Sequence, residues 1–199
     1  MEEALSLSVH VLGERDPNTL KTKNNLAQTL RDQGDFTSAR TLQEEALASA
    51  RRELGEDHPD TLVAMNNLAL TLYSRGDLAG ARALQENVLE AMRRKWGDNH
   101  ANTLPAMHNL ASTLHDQENF EAARALHEHV VTTIRPLLGA EHPSTLTATS
   151  NQARITSEPG RSGWGAATGR TGRSDSFATV SMNDSLLLPT LQLCYHAGV

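Results

Sequence analysis

The sequence repeats with a fixed period of 42 residues over most of its length. The stretches DPNTLKTKNNLAQTL, HPDTLVAMNNLALTL and HANTLPAMHNLASTL align without a gap. Three residue types recur at this step, in the series Gly13, Gly55, Gly97 and Gly139; Leu20, Leu62, Leu104 and Leu146; and Thr19, Thr61, Thr103 and Thr145. Such periods are typical of proteins built from stacked copies of one supersecondary unit. The chain is therefore predicted to be a repeat array.

Each repeat is predicted to contain two helices. Pro17 and Pro59 stand where a helix tolerates proline best, in its first turn. In the second repeat the apolar residues follow a 3.6-residue spacing at Leu62, Met65, Leu68, Ala69 and Leu72. Gly34 and Gly76 suit the left-handed position that ends a helix.

The second helix of each repeat begins after a short polar residue. Asp35, Asp77 and Asn119 are predicted to be its N-caps. In the second repeat its buried positions are predicted to be Ala81, Leu84, Val88 and Leu89. A single helix pair cannot bury its apolar stripe alone, so neighbouring pairs must stack. The predicted fold is all-α, an α-solenoid of antiparallel helix pairs.

The repeat boundaries divide the chain into an array, residues 1–156, and a tail, residues 157–199. The array comprises a half repeat (1–13), full repeats (about 14–55, 56–97 and 98–139) and a partial repeat (140–156). The tail begins with a Gly-, Ser- and Arg-rich stretch without periodicity, which predicts disorder. A truncated or frame-shifted gene product would explain the same tail, and the two explanations stay open.

The motifs resemble one known family. The DHPDTL start, the NNLA centre, the Gly-Asp turn and the A-R-x-L-x-E second helix resemble the 42-residue tetratricopeptide repeat of kinesin light chains. The resemblance implies stacked helix pairs and a non-catalytic role in binding proteins. Gln43, Gln85 and His127 depart from it, because a large ring often packs at that place in the family.

A helical wheel separates a second arc of the first helix from its apolar stripe. The residues of this arc change between repeats, as expected of a concave groove that selects a ligand. Asn25, Asn67 and Asn109 do not change, and the resemblance implies that they hold the backbone of an extended peptide. An amide ladder between neighbouring helices is the open alternative. The candidate groove residues are Lys21, Asn24, Asn25, Gln28, Arg31, Asn66, Asn67, Leu70, Tyr73, His108, Asn109, Ser112 and His115.

Composition and motifs argue against other functions. The net charge is −6 without a basic stripe, so no nucleic-acid partner is expected. No apolar run suits a membrane span, no signal peptide is recognised, and Cys194 is the single cysteine, so a cytoplasmic protein is expected. The histidines match no metal-binding pattern, and His58, His100 and His142 are expected to serve turns. No nucleophile or nucleotide motif is present, so neither enzyme activity nor a cofactor is expected.

The sequence therefore predicts a scaffold whose concave groove binds a peptide segment of a protein partner. Lys21 and Arg31 should favour acidic groups on that peptide. One alternative is a structural spacer that forms homo-oligomers through the half repeat, whose apolar edge is Leu5, Val9 and Leu12. Another alternative is a detached sensor segment of a larger signalling nucleotidase.

Overall fold

A computed structural model describes residues 2–14 and 16–157 of the chain, and every regular element in these ranges is a helix. The helices are α1 Glu2–Leu12, α2 Pro17–Asp32, α3 Phe36–Leu54, α4 Pro59–Ser74, α5 Leu78–Trp96, α6 Thr103–Asp116, α7 Phe120–Leu138 and α8 Pro143–Ser157. None of these helices is both long and apolar enough to cross a membrane. Beyond Ser157 the predicted tail lies outside the described residues, so its disorder stays a prediction.

The helices fall into two compact units, a first unit up to Lys95 and a second unit from Trp96 onward. In the first unit, α2 packs against α1, α3 and α4, and α3 also packs against α4. In the second unit, α7 packs against both α6 and α8. The prediction of an all-α fold built from packed helix pairs is therefore confirmed.

The core of the first unit is made mainly of leucine, alanine and methionine. All five residues of the predicted α4 stripe are buried, from Leu62 to Leu72. The burial of α4 is broader than the stripe, because Asn66 and Leu70 on its other arc are also buried. The cause is stacking: α4 is contacted by both α2 and α3, so more than one of its faces is covered.

The turn within each repeat follows the predicted chemistry in two cases out of three. Gly34 and Gly76 are left-handed, at φ 85° and 86°. The next residue caps the second helix, since the backbone N–H of Ser38 donates to Asp35 and that of Gly80 donates to Asp77. In the third repeat Glu118 takes the left-handed position at φ 62°. Asn119 stands at the predicted N-cap there, but its side chain makes no capping hydrogen bond.

A histidine precedes the first helix of each later repeat, and in the second repeat His58 is the N-cap of α4. The Nδ1 atoms of His58, His100 and His142 each accept a backbone N–H two residues onward at 3.2 Å. This confirms that the three histidines serve turns. His100 also stacks on Trp96, with ring centroids 5.6 Å apart and planes 14° apart. Burial lowers the pKa of His100.

Candidate functional site

The candidate residues on α2 are the most accessible of the set. Lys21 and Asn25 are exposed, one helical turn apart. Gln28 and Arg31 are half-buried. Asn24 is buried instead. This face of α2 therefore offers a cation and a carboxamide side by side to a ligand.

Beside Asn24 lies an ion pair that the sequence analysis missed. Lys23 is buried, and its Nζ donates to Oε2 of Glu45 on α3 at 3.1 Å. The alignment of the three repeats indicates this buried lysine, because Lys23 stands where the next two repeats carry Met65 and Met107. A cation at a core position indicates a partner within the fold.

On α4, three of the four candidate residues are buried: Asn66, Asn67 and Leu70. The fourth, Tyr73, is half-buried. The Nδ2 atom of Asn67 is buried and has no hydrogen-bond acceptor among the described residues. A ligand on the first unit would therefore meet Tyr73 before it met either asparagine.

On α6, His108, Asn109 and Ser112 are buried, and His115 is partly accessible. The Ser112 hydroxyl donates to the backbone oxygen of His108 at 3.1 Å, so its hydrogen stays within the helix. Nδ1 of His115 lies 3.4 Å from a carboxylate oxygen of Asp116. The α6 candidates therefore present one accessible imidazole beside an acid.

His108 and His115 belong to an aromatic cluster between α6 and α7. The ring of His108 meets that of His127 edge to face, with centroids 5.0 Å apart. The ring of His115 meets that of Phe120 in the same manner at 5.3 Å. Burial, and then the charges of His108 and His115, lower the pKa of His127 to about 3. His127 therefore stays neutral at physiological pH.

His108 also lines a cavity of about 170 Å³ formed by α6, α7, α8 and the segment before α6. We call it the α6–α8 cavity. Its lining is mostly apolar and consists of Ala101, Leu104, Pro105, His108, Val130, Ile134, Pro143, Ser144, Thr147 and Ala148. A dry cavity of about 150 Å³ can hold a benzene molecule. The α6–α8 cavity can therefore accept a branched aliphatic or a small aromatic group.

The described residues contain no group of three His, Cys, Asp or Glu side chains that could hold a metal ion.

The half repeat exposes apolar side chains, though not mainly those expected. Leu5 and Val9 are half-buried, because α1 packs on α2. Leu12 is exposed, as expected, but Leu7 and Val11 are more exposed, at 64% and 65%. The exposed edge of α1 is thus shifted from the predicted one.

Comparison with known proteins identifies relatives of the repeat array. The sequence profile of the tetratricopeptide repeat matches residues 18–94, 67–132 and 102–163. A search of curated proteins finds no significant match.

A search of solved structures also finds TPR-like repeats. The crystal structure of nearly identical TPR-like repeats from Podosopora anserina, assigned to a kinesin light chain, aligns at 27% identity and a TM-score of 0.67. That alignment covers 70% of this chain and 66% of that one, just under two thirds of its length. A variant of the same Podosopora anserina repeats aligns at 26% identity and a TM-score of 0.67, covering 78% and 74%. BtubC (BKLC) from P. vanneervenii shares the fold at 18% identity and a TM-score of 0.62, covering 87% and 78%.

Proposed function

Since the chain belongs to the tetratricopeptide repeat family, whose repeats generally mediate protein–protein interaction, we propose that it is a non-catalytic scaffold that binds a peptide segment of a partner protein. On the second unit, the peptide lies along the second arc of α6. It inserts one apolar side chain into the α6–α8 cavity of the second unit.

The α6–α8 cavity carries this proposal. Its wall residue His108 belongs to the second arc of α6, and Pro105 lies one turn earlier on the same face. Thr147 on α8 is the repeat equivalent of Pro105 and also lines the cavity. Sequence variation and cavity geometry thus point independently to one face of α6. Small apolar pockets with few polar groups are the usual form of a ligand site.

The accessible polar groups of α2 determine which charge the first unit prefers on a ligand. Lys21 and Asn25 are exposed on the same face, and Arg31 contacts Asp32 at 3.5 Å while remaining partly accessible. A carboxamide can both donate to and accept from a peptide backbone. A ligand on the first unit should therefore prefer acidic residues.

The test is selection from a random peptide library displayed on phage, with the full chain as bait. The selected peptides should include one class that shares a Leu, Ile, Val or Phe anchor and another class that is rich in Asp or Glu. Ala101→Leu, which adds bulk to the lining of the α6–α8 cavity, should weaken the binding of the peptides with an apolar anchor by about tenfold. Asn25→Ala should weaken the binding of the acidic peptides to the first unit by a few-fold.

The matched control is Ala125→Leu, which adds the same atoms at an exposed alanine of α7 that does not line the cavity. Binding to this variant should equal binding to the wild type. If the peptides with an apolar anchor bind Ala101→Leu as tightly as they bind the wild type, the proposal for this cavity is refuted.

A second candidate function is self-association. It is favoured by the exposure of Leu7, Val11 and Leu12 along α1. Adjacent large apolar side chains on a surface commonly mark a protein interface.

A further inference from the structure

We propose that two histidine side chains, His100 and His142, make the α6–α8 cavity sensitive to pH. Through the backbone hydrogen bonds that their rings accept, the cavity keeps its shape at neutral pH and loses affinity for an apolar group in acid. The proposal deepens the proposed function, because it adds the regulation of the site that takes the peptide anchor. Its test uses a small apolar probe instead of a peptide, so the two can fail separately.

The two histidines stand at the helix starts that form two sides of the cavity. Nδ1 of His100 accepts the backbone N–H of Asn102 at 3.2 Å, in the turn that leads into α6. Nδ1 of His142 accepts the backbone N–H of Ser144 at the same distance, in the first turn of α8. We call these two contacts the turn hydrogen bonds.

The backbone held by the turn hydrogen bonds carries part of the cavity lining. Ala101 and Leu104 lie within four residues of the first histidine, and both line the cavity. Pro143 and Ser144 directly follow the second histidine, and both line the cavity as well. The shape of the cavity on these two sides therefore depends on the turn hydrogen bonds.

Protonation removes the acceptor of each turn hydrogen bond. A neutral imidazole can accept at one ring nitrogen, whereas a protonated imidazole only donates. The turn hydrogen bonds are therefore formed at pH 8 and are lost as the pH falls through the pKa of the rings, which is about 6.5 for an unperturbed histidine. Burial lowers the pKa of His100, so its turn hydrogen bond is lost below that value.

The first repeat carries an acid-resistant acceptor at the same register. Asp16 stands where the later repeats have histidine, and its Oδ1 accepts the backbone N–H of Asn18 at 2.8 Å. A carboxylate ordinarily stays ionised at pH 5 and keeps accepting there. An aspartate in place of His100 or His142 should therefore keep the turn hydrogen bond and remove its response to pH.

The second repeat differs from the later two in the residue that donates to the ring. Its donor is Asp60, whose carboxylate lies 3.8 Å from Nδ1 of His58 and can pair with the ring when it is protonated. The donors at the cavity are Asn102 and Ser144, whose side chains are neutral. The two turns beside the cavity therefore gain no ion pair from their donor residues in acid.

Other titratable and charged groups near the cavity must be separated from the two histidines. They lie in the same two turns, in the last turn of α7 and between α6 and α7: Asp98, Glu141, Arg135, His108, His115 and His127. Carboxyl and guanidinium groups ordinarily titrate outside the range from pH 5 to pH 8. Burial is the main cause that lowers the pKa of His127 to about 3, and His115 does not line the cavity. His108, which does line it, is the rival source of pH dependence and needs its own variant.

The test measures the binding of benzene to the full chain by NMR between pH 8 and pH 5. A dry cavity of about this size can hold benzene. The methyl signals of Val130 and Ile134 report binding, because both residues line the cavity. The wild type should bind benzene about tenfold more weakly at pH 5 than at pH 8, through the loss of two hydrogen bonds. Circular dichroism should show that the helices persist at pH 5.

The matched variant combines His100→Asp with His142→Asp and so installs the acceptor of the first repeat. Its affinities at pH 8 and pH 5 should differ by less than about twofold. Since both affinities are measured on one protein, the lost stack of His100 on Trp96 affects them alike. His58→Asp makes the same change in the first unit and should keep the wild-type dependence on pH.

Several outcomes overturn the proposal. If the double variant depends on pH as the wild type does, the turn hydrogen bonds do not control the cavity. His108→Asn, which installs the residue type of Asn24 and Asn66, then shows whether that ring is the source. A loss of benzene binding that coincides with a loss of helix content also overturns the proposal, because unfolding is then the cause.

The remaining outcomes separate this proposal from the proposed function. Equal benzene binding by the wild type at pH 8 and pH 5 overturns the control by pH and leaves peptide binding untouched. Benzene binding that depends on pH as expected, in a chain that selects no peptide, supports the control by pH and refutes the proposed function. Absence of benzene binding at either pH refutes the cavity as an apolar site and this proposal with it.

Discussion

The two units bury different polar groups at matching repeat positions. In the first unit Gln43 is fully buried, and neither polar atom of its side chain has a hydrogen-bond partner among the described residues. In the second unit the same position is His127, also fully buried and in edge-to-face contact with His108. One repeat backbone therefore accommodates either a neutral amide or a titratable ring.

This difference teaches that a repeat scaffold can change its response to pH without changing its fold. An amide has the same charge at every accessible pH, whereas an imidazole can gain a proton. In the second unit, the ring that contacts His127 also lines the α6–α8 cavity. The interior of this unit and its candidate binding surface are thus linked through one side chain.

The largest expected effect is a loss of stability of the second unit in acid. The pKa of His127 is about 3 in the folded chain and 6.5 for the unperturbed group, so between these values the unfolded state binds more protons. The contribution of neutral His127 to the free energy of unfolding is complete above pH 6.5 and is lost as the pH falls toward 3. At pH 5 the free energy of unfolding should be about 2 kcal/mol below its value at pH 8. Hydrogen exchange with mass spectrometry would measure it in α6 and α7.

The control is His127→Gln, which installs the residue of the first two repeats. Its α6 and α7 segments should lose this part of the acid sensitivity, while α2 and α3 behave alike in both proteins. Equal acid sensitivity of His127→Gln and the wild type would refute the contrast between the units.

A smaller effect is expected from the ion pair of the first unit. Glu45→Gln leaves the buried Lys23 without its anionic partner and should lower the free energy of unfolding by about 1 kcal/mol, since Glu45 is half-exposed. Adding Lys23→Met, the residue type of the later repeats, should recover the loss. Denaturant unfolding would measure both changes.

Glu44→Gln is the matched comparison, because the Arg40–Glu44 pair is at the surface. It should change the free energy of unfolding by less than about 0.5 kcal/mol. If Glu44→Gln lowers the free energy of unfolding as much as Glu45→Gln does, the burial of Lys23 does not determine the cost of losing its partner.

The smallest expected effect concerns the turns. Glu118 adopts the left-handed conformation that Gly34 and Gly76 adopt in the earlier repeats. Glu118→Gly removes a conformational cost of about 1–2 kcal/mol and adds about 0.5–1 kcal/mol of glycine chain entropy, for a net gain of about 0.5 kcal/mol.

The reverse substitution checks that result. A Cβ at Gly76 would have open space, so Gly76→Glu should lose about the same 0.5 kcal/mol through backbone conformation alone. Thermal unfolding of both variants would show opposite shifts. A stabilised Gly76→Glu would contradict the assignment of strain to the left-handed position.

Sequence periodicity was sufficient to predict the helix pairs, because apolar spacing and turn residues are local properties. Pro17, Pro59, Asp35 and Asp77 all lie at the predicted helix starts. Asn119 also lies at its predicted N-cap position, but its side chain makes no capping hydrogen bond. Capping depends on the rotamer as well as the residue type, and the sequence does not report the rotamer.

The candidate site was harder to predict than the fold. A helical wheel separates faces by angle, but the coverage of each face depends on the neighbouring helices. Asn66 and Leu70 are therefore buried, while Lys21 and Asn25 on α2 are exposed. The α6–α8 cavity arises from a packing gap between three helices, which no single helix encodes. The binding roles of the candidate residues stay predictions.

The stack of Trp96 on His100 places a natural fluorophore against a titratable ring at the start of the second unit. A protonated imidazole quenches indole emission, so the brightness of Trp96 should report the protonation of its neighbour without any added label. The other indole, Trp164, can be replaced by phenylalanine to isolate the signal. The molecule therefore carries its own optical probe beside the helix that bears the cavity.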